Sequence, residues 1–201
     1  MKRILLMTLL ALALPLAAFA GTVDFSNSGG TLTGSSAGLA LTGSEIIQAT
    51  GLGTGAVGND GTLSFSTGSF VSTVGNVTTF NSGGSFMIVG NGSNGVPTGT
   101  IFMGSFTSPV TLTAGPAVSG GTIYTVTGDI SGMWYAGGTA SGLTNETWVG
   151  SFTTGKDGFM GSSTLGSGET IVSTVPEPGT LGLLGTGLVG LAGLVRKKMR
   201  A

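Results

Sequence analysis

Between residues 22 and 174, apolar side chains recur at every second position in short runs, and Gly or Asn ends almost every run. Thr22-Val23-Asp24-Phe25-Ser26 alternates cleanly, as do residues 62–66 and 122–127. A two-residue period puts one set of side chains on one face of an extended chain, the pattern of a strand with one buried side. β-branched and aromatic residues favour such strands. Further candidates lie at 70–73, 77–80, 85–89, 101–107, 110–113, 132–136, 147–153, 159–164 and 170–173. Turn signals separate them: Gly83-Gly84, Asn91-Gly92, Asn94-Gly95-Val96-Pro97, Gly120-Gly121, Gly137-Gly138 and Lys156-Asp157-Gly158. The one internal helix candidate, residues 44–48, is too short to stand alone. Short strands at close spacing predict an all-β fold, a single β-sandwich-like domain of Gly/Ser/Thr-rich strands.

Two stretches break the pattern. Residues 27–60 hold nine glycines and few large apolar groups. Glycine weakens a strand by removing side-chain packing, so loose edge strands or a long surface loop are expected there, and the least order. Gly-Ser-Phe recurs at 68–70, 84–86, 104–106 and 150–152. The irregular spacing argues against a solenoid and for a repeated local solution, Gly at a turn and Phe into a core.

The charged residues of 21–174 are Asp24, Glu45, Asp60, Asp129, Glu146, Lys156, Asp157 and Glu169, a net charge of −6 masked in the whole chain by basic ends. One lysine and no arginine leave no basic patch, so nucleic acid is not an expected partner. The chain has no cysteine and no histidine. That removes disulfides, thiol chemistry, the commonest zinc sites and Ser-His-Asp catalysis. No cofactor and no metal site are expected.

What remains is sparse. The acids form no glycosidase or metal-ligand pattern. Asn59-Asp60-Gly61 and Lys156-Asp157-Gly158 read as turns, since neither has the acid spacing of a calcium loop. Trp134, Tyr135 and Trp148 are the large amphipathic aromatics; buried, they are core with a bonded N–H or O–H, and exposed, they could stack on sugar rings. Trp134 and Tyr135 are adjacent, so in a strand they point to opposite faces. This makes the pair the candidate sugar contact, with Trp148 assigned to the core. Asn76-Val77-Thr78, Asn91-Gly92-Ser93 and Asn145-Glu146-Thr147 fit a glycosylation acceptor pattern, a short motif that is given little weight.

Both ends carry other information. Met1-Lys2-Arg3, an apolar run over 4–16 and Ala18-Phe19-Ala20 form a signal peptide spanning 1–20. Cleavage after Ala20 makes Gly21 the mature N-terminus. At the other end stand Val175-Pro176-Glu177-Pro178-Gly179, an uncharged apolar run over 181–195, and Arg196, Lys197, Lys198 and Arg200. Two prolines flanking Glu177 stiffen an extended segment. The apolar run covers roughly 22 Å as a helix, near the lower limit of a membrane span. Glycines within it are tolerated in membrane helices, and the basic cluster is a cytoplasmic stop. A plain anchor and a buried core helix are the rival readings; the flanks disfavour the second.

The order of motif, apolar helix and basic stop over residues 175–201 resembles the PEP-CTERM sorting signal of exported bacterial proteins. The resemblance implies export, retention through a C-terminal transmembrane helix, and recognition by an exosortase, a membrane transpeptidase-like enzyme. It implies signal peptidase and exosortase as processing partners, and a final place in the cell envelope or polysaccharide matrix. It leaves the role of 21–174 open. The depleted catalytic vocabulary favours a non-enzymatic surface or matrix protein, with a polysaccharide-binding module as the alternative and a secreted hydrolase third.

Overall fold

The computed structural model describes residues 21–155 and 158–174, with Gly187 alone beyond them. The expected signal peptide, with Ala18 and Ala20, therefore lies outside the described residues. So do the expected sorting motif at 175–179, the expected transmembrane helix apart from Gly187, and the expected basic stop. No helix among the described residues is long and apolar enough to cross a membrane.

The strands are β1 (Thr22–Ser28), β2 (Thr31–Ser35), β3 (Gly38–Thr50), β4 (Gly61–Ser66), β5 (Phe70–Val74), β6 (Val77–Phe80) and β7 (Gly83–Asn91). They continue as β8 (Thr98–Phe106), β9 (Val110–Val118), β10 (Gly121–Trp134), β11 (Thr139–Gly150), β12 (Thr153–Gly155), β13 (Gly158–Thr164) and β14 (Ser167–Thr174). Following the pairing from β1 through β14, β11, β10, β8, β7, β4 and β3 leads back to β1. This is a closed eight-stranded antiparallel barrel, and it corrects the expected sandwich. Alternation could not distinguish the two, because a barrel wall and a sandwich face both need one apolar side. The deciding pairing joins Thr22 to Ser173 and Asn27 to Gly168, far beyond the reach of any local pattern.

Many of the short runs are halves of longer, bent strands. β1 pairs β14 and β2 pairs β13 in one continuous register, from Thr22↔Ser173 to Thr31↔Thr164. The bend falls at Gly29-Gly30, whose backbone bonds Leu165 across the break. Gly30 has φ +78°, and a Cβ there would lie 2.6 Å from the Ser44 nitrogen, so only glycine fits. β4–β5 against β6–β7, and β6–β7 against β9–β8, continue in the same way. The chain thus meanders up and down, each long strand beside its sequence neighbours, until the last strand meets the first.

Apolar side chains fill the interior. Phe65 and Phe86 stack at 5.9 Å, and Phe106 meets both edge-on at 5.6 and 5.7 Å. Phe25, Leu41, Ile46, Leu63, Ile88, Phe102, Val126 and Val172 complete the packing. The outer positions carry mostly Ser and Thr, the reverse of a membrane-spanning barrel, whose lipid face is apolar. Two of the four Gly-Ser-Phe phenylalanines, Phe86 and Phe106, are fully enclosed, while Phe70 and Phe152 pack half-buried against the core. Gly104 lies inside β8 rather than at a turn.

Residues 27–60 differ most from expectation. They contribute β2 and β3, with Leu32, Leu39, Leu41, Ile46 and Ala49 in the core. Only 51–60 form a loop. The helix candidate 44–48 lies within β3 as well. Register breaks between Leu41 and Ser44 and opposite Ser26/Asn27 disturb its alternation, which hid the strand from a strict two-residue reading.

Candidate functional site

Closure brings inward-facing side chains of β1, β3, β11 and β14 to one place inside the wall. Asn27, Ser44, Thr144, Glu146 and Thr170 are all buried there. Asn27 donates from Nδ2 to Ser44 Oγ and to Glu146 Oε2, each at 2.9 Å. Thr144 Oγ1 donates to Glu146 Oε1 at 3.1 Å and lies 2.8 Å from Thr170 Oγ1. Ser44 Oγ donates on to the Ser28 carbonyl. Asn27 Oδ1 has no partner among the described atoms.

Burial pushes the Glu146 carboxyl up to about 7, against the lowering effect of the Asn27 and Thr144 hydrogen bonds. Desolvation dominates, and among the described residues no cation is paired with the acid to offset it. The acid therefore changes charge near neutral pH in a closed polar pocket. Gly168 on β14 makes the room: a Cβ there would meet Glu146 Oε2 and Asn27 Oδ1. Any side chain at 168 would drive the acid off its donors.

Sequence reasoning did not single out this cluster. Glu146 stood only among the scattered acids and within a glycosylation-type tripeptide, and the strand expected at 147–153 began just after it, eight residues into β11. The usable signal was the alternation Thr144, Glu146, Trp148, which puts the acid on the same side as a buried indole. Nothing local, however, links Glu146 to Asn27.

The aromatic pair is split between burial and exposure, but not by strand alternation, because β10 ends at Trp134 and Tyr135 lies in the turn. Trp134 ends β10, is 9% exposed and packs 6.5 Å from Phe25. Tyr135, 46% exposed, begins the turn to β11, its ring 5.2 Å from that of Trp134. Trp148 is buried and stacked on Tyr124 at 5.6 Å; its Nε1 lacks a partner among the described atoms. Asp60 is buried just before β4 and accepts a 2.7 Å bond from Asn94 Nδ2. Among the described residues, no three acids are grouped to hold a metal ion.

Outside the wall, β10, β11 and β14 form an open depression of about 480 Å³. Leu143 and Ile171 contribute apolar surface, and Thr107, Asp129, Ser131 and Ser141 line it with oxygen. Ser108 Oγ donates to Asp129 Oδ2 at 2.8 Å. On the next strand Asp24 pairs Ile171. Its carboxyl is raised above the ordinary range by burial first and by the neighbouring Glu169 second.

Gly21 is exposed immediately before β1, and Thr22 pairs Ser173 at the end of β14. The first and last strands of the barrel thus begin and end side by side, at Thr22 and Ser173.

A family model, the PEP-CTERM protein-sorting motif, matches residues 174–197, beginning at the last residue of β14. No curated protein and no solved structure matches the chain. The chain carries this sorting motif and is an exported, exosortase-targeted protein.

Proposed function

We propose that the barrel is a non-enzymatic structural or interaction protein of the envelope surface or extracellular matrix. Signal peptidase frees its N-terminus and an exosortase processes its tail. Until then the apolar tail holds it in the cytoplasmic membrane. The observation that carries this reading is the position of the sorting motif: it starts where the closing strand ends, so the whole barrel is the cargo. The reading also rests on the hydroxyl-rich exterior. In addition, the described acid most displaced toward neutral titration, Glu146, is sealed inside the wall, where a substrate has no access.

The outer depression favours a second reading, a module for extracellular polysaccharide. Asp129 and the serines could accept bonds from sugar hydroxyls over the apolar surface of Leu143 and Ile171, with Tyr135 as a separate exposed aromatic. Retention on immobilised polysaccharide that Asp129→Asn abolishes would favour this module.

Fractionation of cells with and without the exosortase tests the delivery step. With the enzyme, the shortened form is expected in the envelope or medium. Without it, the protein is expected in the cytoplasmic membrane, heavier by the retained tail. Release at the same size and rate from both cells would refute the reading.

A further inference from the structure

The exported domain has four methionines, Met87, Met103, Met133 and Met160, and all four are exposed on the surface. Methionine ordinarily fills gaps in cores, and this core is built without it. Three of the four stand in one row. Met87 pairs Met103, and Met103 pairs Met133, across the adjacent strands β7, β8 and β10. Their exposures are 39%, 56% and 58%. Directly opposed side chains on one face of a sheet have Cβ atoms about 5 Å apart. Each thioether then hangs from an unbranched chain with three rotatable bonds, so three sulfurs can turn toward a point above Met103. The row continues to Ser64 on one side and Thr139 on the other, neither charged.

We propose that Met87, Met103 and Met133 form a surface site for a soft monovalent cation, with Cu(I) as the natural chemical class. Thioether sulfur is a soft ligand that selects Cu(I) over hard cations such as Mg²⁺ or Ca²⁺. With no cysteine or histidine in the chain, thioethers are its only soft donors. The net negative charge of 21–174 draws cations toward the surface. The site takes up the ion without changing its oxidation state.

Silver(I), a soft ion stable in air, is the probe. The full-length chain in detergent micelles, with methionine methyl groups labelled, is titrated with Ag(I) and followed by NMR. One equivalent is expected to shift three methyl signals together. Met103→Leu should weaken binding about tenfold or more, as even indirect changes to metal sites do. Met160→Leu, on another part of the surface, should change nothing. Leucine conserves volume, so the barrel should persist, and circular dichroism of each variant checks this. Methyl signals that shift independently, or a Met87→Leu/Met103→Leu/Met133→Leu variant that binds as wild type, would overturn the proposal.

Discussion

Glu146→Gln is expected to stabilise the barrel by about 3 kcal/mol at pH 8 and to change it little at pH 4. The sign follows from the proton. Folded Glu146 holds its proton up to about pH 7, against an ordinary value of 4.5. The unfolded chain therefore releases a proton that the folded chain keeps between those limits. Stability from this group is complete below about 4.5, declines as pH rises toward 7 and is lost above it. Glutamine fills the same space without a charge: its oxygen can accept from Asn27 and its amide can donate to Thr144. Urea unfolding of both proteins across pH 4–8 is the measurement. The wild type should weaken with rising pH, while the variant keeps only the smaller slope from groups such as Asp24, whose carboxyl is raised in the same direction. Parallel curves for the two proteins would mean that Glu146 does not titrate inside the wall.

Replacing Pro176-Glu177-Pro178 by three alanines should stop tail processing while leaving membrane retention intact. Each Pro→Ala change restores about 0.4–1 kcal/mol of chain freedom. Two such changes alone could reduce capture by an extended-substrate cleft about tenfold. Removing the acid eliminates the motif's only charge. The apolar run 181–195 and the basic residues after it remain, so the variant should accumulate in the cytoplasmic membrane at unprocessed size. The replaced residues lie beyond β14, so the barrel should melt as wild type. Release at wild-type size and rate would show that the motif is not read and would favour a plain anchor.

Individual strands were more legible than their assembly. Residues 62–66 fall within β4 and 122–127 within β10, where the sequence alternates, and 170–173 within β14. Gly120-Gly121 and Gly137-Gly138 mark the turns on either side of β10. Gly83-Gly84 instead sits where β6 passes into β7 within one long strand: the same glycine pair can bend a strand or reverse it. β3 was hidden by its two irregularities. Closure was illegible because Thr22↔Ser173 is a contact between distant segments, and the Glu146 cluster depends on that closure. The sorting motif was readable for the opposite reason: its parts are contiguous and need no fold to bring them together.

The pairing of β14 with β1 also sets a schedule. Export delivers β1 first, yet its partner on one side is the last strand of the domain to emerge. β1 can form its hairpin with β3 early, but its other edge stays open while β4 to β13 are delivered. Such a late, long-range pairing is slow to form, and the open edge is exposed meanwhile. The sorting match begins at Thr174, where β14 ends, so the tail reaches the membrane just as the strand that seals the barrel becomes available. Completion of the fold and arrival of the address signal are nearly one event, and the exosortase meets a substrate whose final hydrogen bonds end where its motif begins.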